Sequence, residues 1–228
     1  MQPAPPNSTF VGPLVAMRNV AWTPQGNILY TTGSFQIWTA SPGSNTTTAV
    51  TRPPQDRGDL IASACPDGRY IVFTSNRGNG AFGIWRTDVD GTNAKQLTQG
   101  IDTAVPACSP DGKWVVYSSQ YSGRGGLWRI PIDGGEPVQL TSIVSAYNPQ
   151  VSPDGRWIAF SGLQNFGIIP FAGGAPVKTF DYAPGANFDS PIRLIRWAPD
   201  GQALTYIVTK NGFRTSGHSR STEGRPSR

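Results

Sequence analysis

The sequence predicts an all-β fold: an incomplete β-propeller of about four full blades and a truncated fifth, with four antiparallel strands per blade. Three observations predict it. A turn rich in proline and glycine recurs at nearly constant spacing, an apolar run follows each turn, and the composition suits short strands. Only 14% of the 228 residues are charged, whereas 11% are aromatic and the chain contains 27 Gly and 21 Pro. Such a turn-rich, charge-poor composition is typical of domains built from many short strands.

The recurring turn defines the repeat, because successive turn prolines are 42, 44, 43 and 46 residues apart. Proline presets φ at the second position of a tight turn, Asp bonds the backbone two residues onward, and Gly accepts a positive φ. The five turns are Pro24-Gln25-Gly26, Pro66-Asp67-Gly68, Pro110-Asp111-Gly112, Pro153-Asp154-Gly155 and Pro199-Asp200-Gly201.

Each turn is followed by an apolar run that predicts a strand, and in the first three repeats a second strand closes on tryptophan at Trp38, Trp85 and Trp128. An Asp-Gly turn and a further short strand complete the best-preserved repeats. Each repeat therefore reads as a four-stranded antiparallel sheet of the length of one propeller blade. We expect neighbouring blades to stack, with an inter-blade core supplied by aromatic residues at equivalent positions. These residues are Tyr70, Trp114, Trp157, Trp22 and Trp197.

The third repeat resembles a known family. Ser109–Trp114, with Leu127–Arg129 and Asp133–Gly135, resembles the repeat of TolB-type propellers, and similar repeats form the propeller of prolyl oligopeptidases. The resemblance covers about residues 18–213. Within this family, the repeats most resemble the propeller regions of bacterial membrane-anchored serine/threonine kinases and of winged-helix regulators. The resemblance implies a sensory or interaction module, often outside the cytoplasmic membrane.

Two repeats depart from the family pattern. Gln25 stands where Asp is usual, and the fourth repeat has Ile168–Phe171 in the place of its tryptophan. The expected organisation is an N-terminal extension or blade remnant at 1–17, propeller repeats at 18–213 and a basic, disordered tail at 214–228. The family pattern stops abruptly after Gly212, and a reading frame shifted by one base can restore an Ile-Trp and an Asp-Gly-Gly in register. We therefore hypothesise that the tail is a frameshifted end.

Charge does not favour nucleic acid as a partner. The formal net charge is +5, but +4 of it lies from Lys210 onward, so the body of the chain is nearly neutral. A phosphate-binding face needs clustered Lys and Arg on the folded surface. No run of eighteen apolar residues occurs, so we expect no membrane contact by this segment. The N-terminus shows no secretory signal, and the compartment stays open, periplasmic or extracytoplasmic if the family is followed.

No residue is predicted to be catalytic, to bind a cofactor or to hold a metal. The turn aspartates Asp67, Asp111, Asp154 and Asp200 could ring one face and bind cations, but turn Asp residues usually bond their own backbone. The glycine-rich segments 75–80 and 121–126 read as hairpin loops, since no helix N-terminus follows them. The single histidine, His218, lies in the tail and leaves a Ser-His-Asp site without its base.

Two cysteines, Cys65 and Cys108, lie just before equivalent turns but one place out of register. Two cysteines are too few for a disulfide framework, and we expect buried thiols rather than a bridge.

These observations predict a non-catalytic binding or sensor module, a fragment of a larger signalling protein that recognises a protein or a small ligand. One alternative is the regulatory propeller of a parent kinase or prolyl-oligopeptidase-like enzyme whose catalytic domain is absent here. A further alternative is a TolB-like envelope scaffold. A kinase domain upstream, or an α/β-hydrolase domain downstream, in the parent gene would separate these readings. An open ring of four and a half blades also predicts exposed apolar surface and self-association.

Overall fold

The computed structural model describes residues 20–44, 46–100, 105–119, 125–162, 165–181, 195–210 and 213–220, with side chains described up to Tyr206. These residues form nineteen strands in five antiparallel sheets, and the described part of the chain contains no helix that could cross a membrane. The predicted all-β propeller, with four full blades and a shorter fifth, is confirmed.

Each of the first four sheets is a four-stranded meander, and the fifth has three strands. Sheet 1 contains β1 (Val20–Trp22), β2 (Ile28–Thr31), β3 (Ile37–Ala40) and β4 (Thr47–Ala49); sheet 2 contains β5 (Asp59–Ala64), β6 (Tyr70–Ser75), β7 (Gly83–Asp88) and β8 (Lys95–Gln96). Sheet 3 contains β9 (Ala107–Cys108), β10 (Trp114–Ser119), β11 (Gly126–Pro131) and β12 (Val138–Thr141). Sheet 4 contains β13 (Tyr147–Val151), β14 (Trp157–Ser161), β15 (Asn165–Pro170) and β16 (Lys178–Asp181); sheet 5 contains β17 (Ile195–Trp197), β18 (Ala203–Lys210) and β19 (Phe213–Arg220).

The Pro-x-Gly turns connect the first and second strands of every sheet, as the sequence predicts. In the turn of sheet 3 the Gly112 amide donates to the Ser109 carbonyl at 2.9 Å, and Gly112 has a φ of 68°. That left-handed conformation strains residues with a side chain, so glycine recurs there. The first strands of successive sheets, from β1 through β17, contact one another and therefore lie innermost, around the propeller axis.

The buried apolar side chains of the described residues form four clusters, one between each pair of consecutive sheets. Between sheets 1 and 2, the aliphatic side chains Leu29, Ile37 and Val50 pack against Ile71 and Phe73. Because sheets 2, 3 and 4 each bury their two faces against two neighbours, stability depends on contacts between adjacent repeats.

Trp22 does not join this core, and the prediction for it was wrong. The equivalent Trp197 packs against the cluster between sheets 4 and 5, whereas the Trp22 side chain is 65% exposed. Tyr70 and Trp157 lie against core clusters, as predicted. Trp114 lies instead beneath the Arg129 guanidinium, 4.6 Å from its ring centroid.

The fourth sheet compensates for its missing tryptophan. Gly167 stands opposite Phe160 in the pairing of β14 with β15, where sheet 3 pairs Tyr117 with Trp128. A Cβ atom on Gly167 would lie 2.5 Å from Cζ of Phe160, so the phenyl ring occupies the space above the glycine.

Cys65 and Cys108 form a disulfide, which corrects the expectation of two free thiols. Their Cα atoms are 5.1 Å apart, within the range that a disulfide can span. Cys65 directly follows the first strand of sheet 2 and Cys108 ends the first strand of sheet 3, and these strands lie side by side at the axis. A separation of 43 residues, one repeat, therefore brings them together in space.

The expected disordered tail is partly ordered. Residues 213–220 form β19 and pair with β18 along its whole length, so disorder from residue 214 is wrong for that segment. Backbone amides and carbonyls pair whatever the side chains, so a segment without the family pattern can still supply a strand. Residues 221–228 and 1–17 lie outside the described residues, and the frameshift stays a hypothesis about the gene.

Candidate functional site

The five turns gather at one end of the propeller, each against the turn of the next sheet. A Cβ atom on Gly112 would lie 1.9 Å from Oδ2 of Asp67, and the Gln25 side-chain amide donates to the Gly68 carbonyl at 3.2 Å. Gly155 and Gly201 lie in the same way beside Pro110 and Pro153. The turn aspartates therefore do share one end of the molecule.

Each turn aspartate is engaged by its own turn, as predicted. Oδ1 of each carboxylate accepts a hydrogen bond from the backbone amide two residues onward, at 2.9 to 3.1 Å, in Asp67, Asp111, Asp154 and Asp200. In sheet 3 the Ser109 hydroxyl also donates to Asp111 at 2.5 Å, and this bond lowers the pKa of that carboxyl group. Within the described ranges no three His, Cys, Asp or Glu residues are grouped as metal ligands. Turn formation accounts for these carboxylates.

The glycine-rich segment 75–80 forms a hairpin loop between β6 and β7, as predicted. Arg77 anchors this loop, because its guanidinium binds the fully buried carboxylate of Asp59 through two nitrogens, with Nε at 3.1 Å from Oδ1. Most of the second glycine-rich segment, 121–124, lies outside the described residues, and so does the His218 side chain.

Polar contacts between sheets add to the aromatic core. Arg86 donates to the Asp133 carboxylate of the next sheet at 3.1 Å, and the Lys95 ammonium donates to the Asp133 carbonyl at 2.5 Å. Arg129 repeats the arrangement one sheet further, donating to the Phe171 carbonyl at 3.1 Å. Sequence reasoning did not assign these roles; the signal was an arginine directly after Trp85 and Trp128.

The outward face of sheet 1, the side turned away from sheet 2, carries exposed apolar residues. Directly paired residues of antiparallel strands share a face. The strand pairing therefore places eight residues on this outward face: Val20, Trp22, Ile28, Tyr30, Trp38, Ala40, Thr47 and Ala49. Seven of them are apolar or aromatic. Tyr30 and Ala40 are buried, but Val20 and Trp22 are 49% and 65% exposed.

The corresponding face of every other sheet is covered by the sheet before it. In sheet 5 the Trp197 indole donates to the Gln150 carbonyl of sheet 4 at 3.0 Å, and Ile195 is fully buried. The outward face of sheet 1 thus has the composition of an interface and lacks a neighbour among the described residues. Exposed apolar patches of this kind mark protein–protein contacts.

Comparison with known families agrees with this architecture. The family model of the TolB β-propeller domain matches residues 16–145, which is more than half of the chain. The chain belongs to the TolB β-propeller family.

Solved structures share the fold of this TolB-type propeller. It is similar to a putative TolB from Agrobacterium tumefaciens, at a TM-score of 0.71 and 17% identity, covering 91% of this chain and 78% of that one. TolB from Acinetobacter baumannii gives a TM-score of 0.68 and 22% identity over 90% of this chain, which spans only 55% of the Acinetobacter protein. A gluconolactonase from Xanthomonas campestris gives a TM-score of 0.67 and 12% identity, covering 86% of this chain and 70% of that one. At these identities the likeness shows the fold alone.

Proposed function

We propose that this TolB-type propeller is a non-catalytic protein-binding module, part of a larger signalling protein. The outward face of sheet 1 carries the proposal, because it presents Trp22 and Val20 where the other sheets bury the equivalent residues against a neighbour. A soluble domain exposes an apolar face of this kind when a partner covers it.

The interfaces within the molecule indicate the chemistry of that partner. Between sheets 1 and 2, an aliphatic face with Leu29, Ile37 and Val50 receives the face that bears Phe73 and Trp85. The outward face of sheet 1 is equivalent to this second face. Its partner therefore presents a β-sheet with an aliphatic face, as a further blade of the parent protein would.

Sedimentation velocity of the purified chain tests the surface. Without its partner, the wild-type chain is expected to self-associate as its concentration rises about tenfold, since the exposed face is apolar. Trp22→Ser is expected to shift the distribution toward monomer. Val177→Ser, at an exposed valine directly before β16 of sheet 4, is the control and is expected to leave association unchanged.

A wild-type chain that stays monomeric with a cooperative melt would overturn this proposal. Equal effects of the two serine variants would also overturn it, because they would indicate general surface hydrophobicity. Circular dichroism of each variant establishes that its strands are intact.

One observation supports a second candidate, a scaffold or sensor acting outside the cytoplasmic membrane. Disulfides persist in oxidising compartments and are rare in the cytosol, and Cys65 is joined to Cys108. Fractionation of cells that produce the parent protein, with thiol labelling before and after reduction, tests it. A cytosolic pool with both thiols reactive would exclude this candidate.

A further inference from the structure

The hairpin loop between β6 and β7 carries an asparagine that is followed directly by glycine, Asn79-Gly80. Asn79 is exposed, and Gly80 has a φ of 92°, a conformation that residues with a side chain rarely adopt. The loop belongs to sheet 2 and shares no residue with the outward face of sheet 1. An asparagine side chain can form a ring with the backbone nitrogen of the next residue, and glycine hinders this reaction least because it has no Cβ atom.

The base of the loop is held by the rest of sheet 2, so the Asn-Gly pair lies at its tip. Arg77 binds the buried carboxylate of Asp59, and Oδ1 of Asn76 accepts a hydrogen bond from the Gly58 amide at 2.8 Å. Asn76 is therefore engaged by the strand connection beside it, and the residue after it is an arginine. The exposed Asn79 is the asparagine of this loop that glycine follows.

A hydrogen-bond donor is already directed at the side-chain oxygen of Asn79. The Ala81 backbone amide donates to Oδ1 of Asn79 at 3.1 Å. When a nitrogen attacks Cγ of this side chain, negative charge develops on that same oxygen. A donor fixed at the oxygen before the reaction stabilises the tetrahedral intermediate, as an oxyanion hole does.

A cation lies next to Gly80. A Cβ atom on Gly80 would have the Arg57 guanidinium as its nearest neighbour, at 3.6 to 4.0 Å. This guanidinium also donates to the Asp56 carbonyl at 3.3 Å, within its own segment. A positive charge in this place favours the deprotonated, attacking form of the Gly80 nitrogen, and it attracts a carboxylate that forms at the preceding residue.

We propose that Asn79 is a modification site, at which ring closure with Gly80 yields aspartate or isoaspartate whose carboxylate pairs with Arg57. The Gly80 nitrogen loses its proton to water and bonds to Cγ of Asn79. The bond from Cγ to Nδ2 breaks, and Nδ2 takes up a proton and leaves as ammonia. Water then opens the resulting succinimide: attack at Cγ gives aspartate, and attack at the backbone carbonyl gives isoaspartate. The loop gains a negative charge, and no oxidant or cofactor takes part.

Peptide mapping by mass spectrometry of the full chain, kept folded at neutral pH, measures the products at Asn79 over time. Asn211-Gly212, outside the described residues, is the internal reference for the dipeptide itself. Arg57→Gln is expected to slow the reaction at Asn79 about threefold relative to that at Asn211. Arg52→Gln removes the same charge from an exposed residue of the same segment and is the matched control. It is expected to leave the ratio of the two rates unchanged, and circular dichroism establishes that both variants are folded.

A second variant tests the ion pair without waiting for the reaction. Asn79→Asp places the carboxylate of one product in the loop directly. We expect the pKa of this carboxyl group, measured by NMR titration, to lie below the usual aspartate value, to rise when Arg57→Gln is added and to stay the same when Arg52→Gln is added.

Three results would each overturn the proposal. The first is that Asn79 stays unmodified in the folded chain while it reacts in the chain unfolded by urea. The second is that the two arginine variants slow the reaction at Asn79 equally, which would indicate an effect of net charge. The third is that the pKa of the carboxyl group at residue 79 does not respond to Arg57→Gln.

Discussion

The first strands of sheets 1 and 5 are the same element in two surroundings. Val20-Ala21-Trp22 and Ile195-Arg196-Trp197 both place a tryptophan two residues before the turn proline. In sheet 5 the indole of Trp197 reaches the Gln150 carbonyl of sheet 4, and Ile195 is fully buried. In sheet 1 the equivalent Val20 and Trp22 are 49% and 65% exposed.

The difference shows which part of the stability belongs to a repeat and which belongs to its neighbour. Strand pairing and turn chemistry are complete within sheet 1, since β1 to β4 pair in order. The burial of its outward face is not complete within sheet 1, because that burial requires a second sheet. In a repeat architecture the contribution to stability that differs most between blades is therefore that of the interface with the next blade.

The largest expected effect lies at the interface between sheets 2 and 3, which is closed covalently. Replacing both cysteines, in Cys65→Ala with Cys108→Ala, is expected to lower the free energy of unfolding by about 4 kcal/mol, because the bond closes a loop of one repeat in the unfolded chain. Denaturant unfolding measures the loss. Reductant should move the wild-type midpoint to that of the double variant and leave the double variant unchanged. A wild-type denaturation midpoint that does not change when reductant is added would contradict the disulfide.

The second prediction compares the two tryptophans directly. Trp197→Ala is expected to lower the free energy of unfolding by about 3 kcal/mol, since it removes packing against sheet 4 and leaves the Gln150 carbonyl unpaired. Trp22→Ala is expected to change it by less than about 0.5 kcal/mol, because an exposed side chain leaves no cavity. Denaturant melts of the dilute, monomeric chain measure both values. Equal losses would mean that something covers the outward face of sheet 1.

The repeat pattern was sufficient to predict the sheets. Turns at Pro66, Pro110 and Pro153 place strand ends within a residue or two, because proline, aspartate and glycine each have a conformational role in the turn that does not depend on the neighbouring blade. The engagement of Asp67 and Asp111 by their own turns followed from the same local chemistry.

Features that join repeats were harder to predict. The sequence places Trp22 and Trp197 at the same position of their repeats, and no nearby residue indicates that only Trp197 has a sheet packed against it. Cys65 and Cys108 are out of register relative to their turns, and their approach depends on how two first strands meet at the axis. A cleft between sheets 2 and 3 is lined by Gln96 and Glu136, which belong to different repeats, so its shape depends on the separation of these two sheets.

The smallest expected difference between sheets lies in their turns. Sheet 3 has Ser109 before its turn proline, whereas sheet 5 has Ala198 in the same place. The Ser109 hydroxyl donates a hydrogen bond to the Asp111 carboxylate and accepts one from the Trp114 backbone amide at 3.0 Å. The hydroxyl therefore ties the turn carboxylate to the start of β10, an interaction that sheet 5 cannot make.

This tie is expected to give sheet 3 a pH dependence that Ser109→Ala reduces. The Ser109 hydrogen bond is the largest cause of the lowered pKa of Asp111, with contributions from the Lys113 amide and charge. A carboxyl whose pKa is lower in the folded state stabilises the fold above its unfolded pKa, near 3.9, and loses that contribution as the pH falls through the folded pKa. The free-energy difference between wild type and Ser109→Ala should therefore be constant at neutral pH and shrink below about pH 4.

The pH-dependent part of this difference stays well under about 1 kcal/mol, since Asp111 is exposed to solvent. Urea melts from pH 7 to pH 3 measure it, with the same serine substitution in an Asp111→Asn background as the control. If the difference shrank equally in that background, the carboxylate of Asp111 would not be its source.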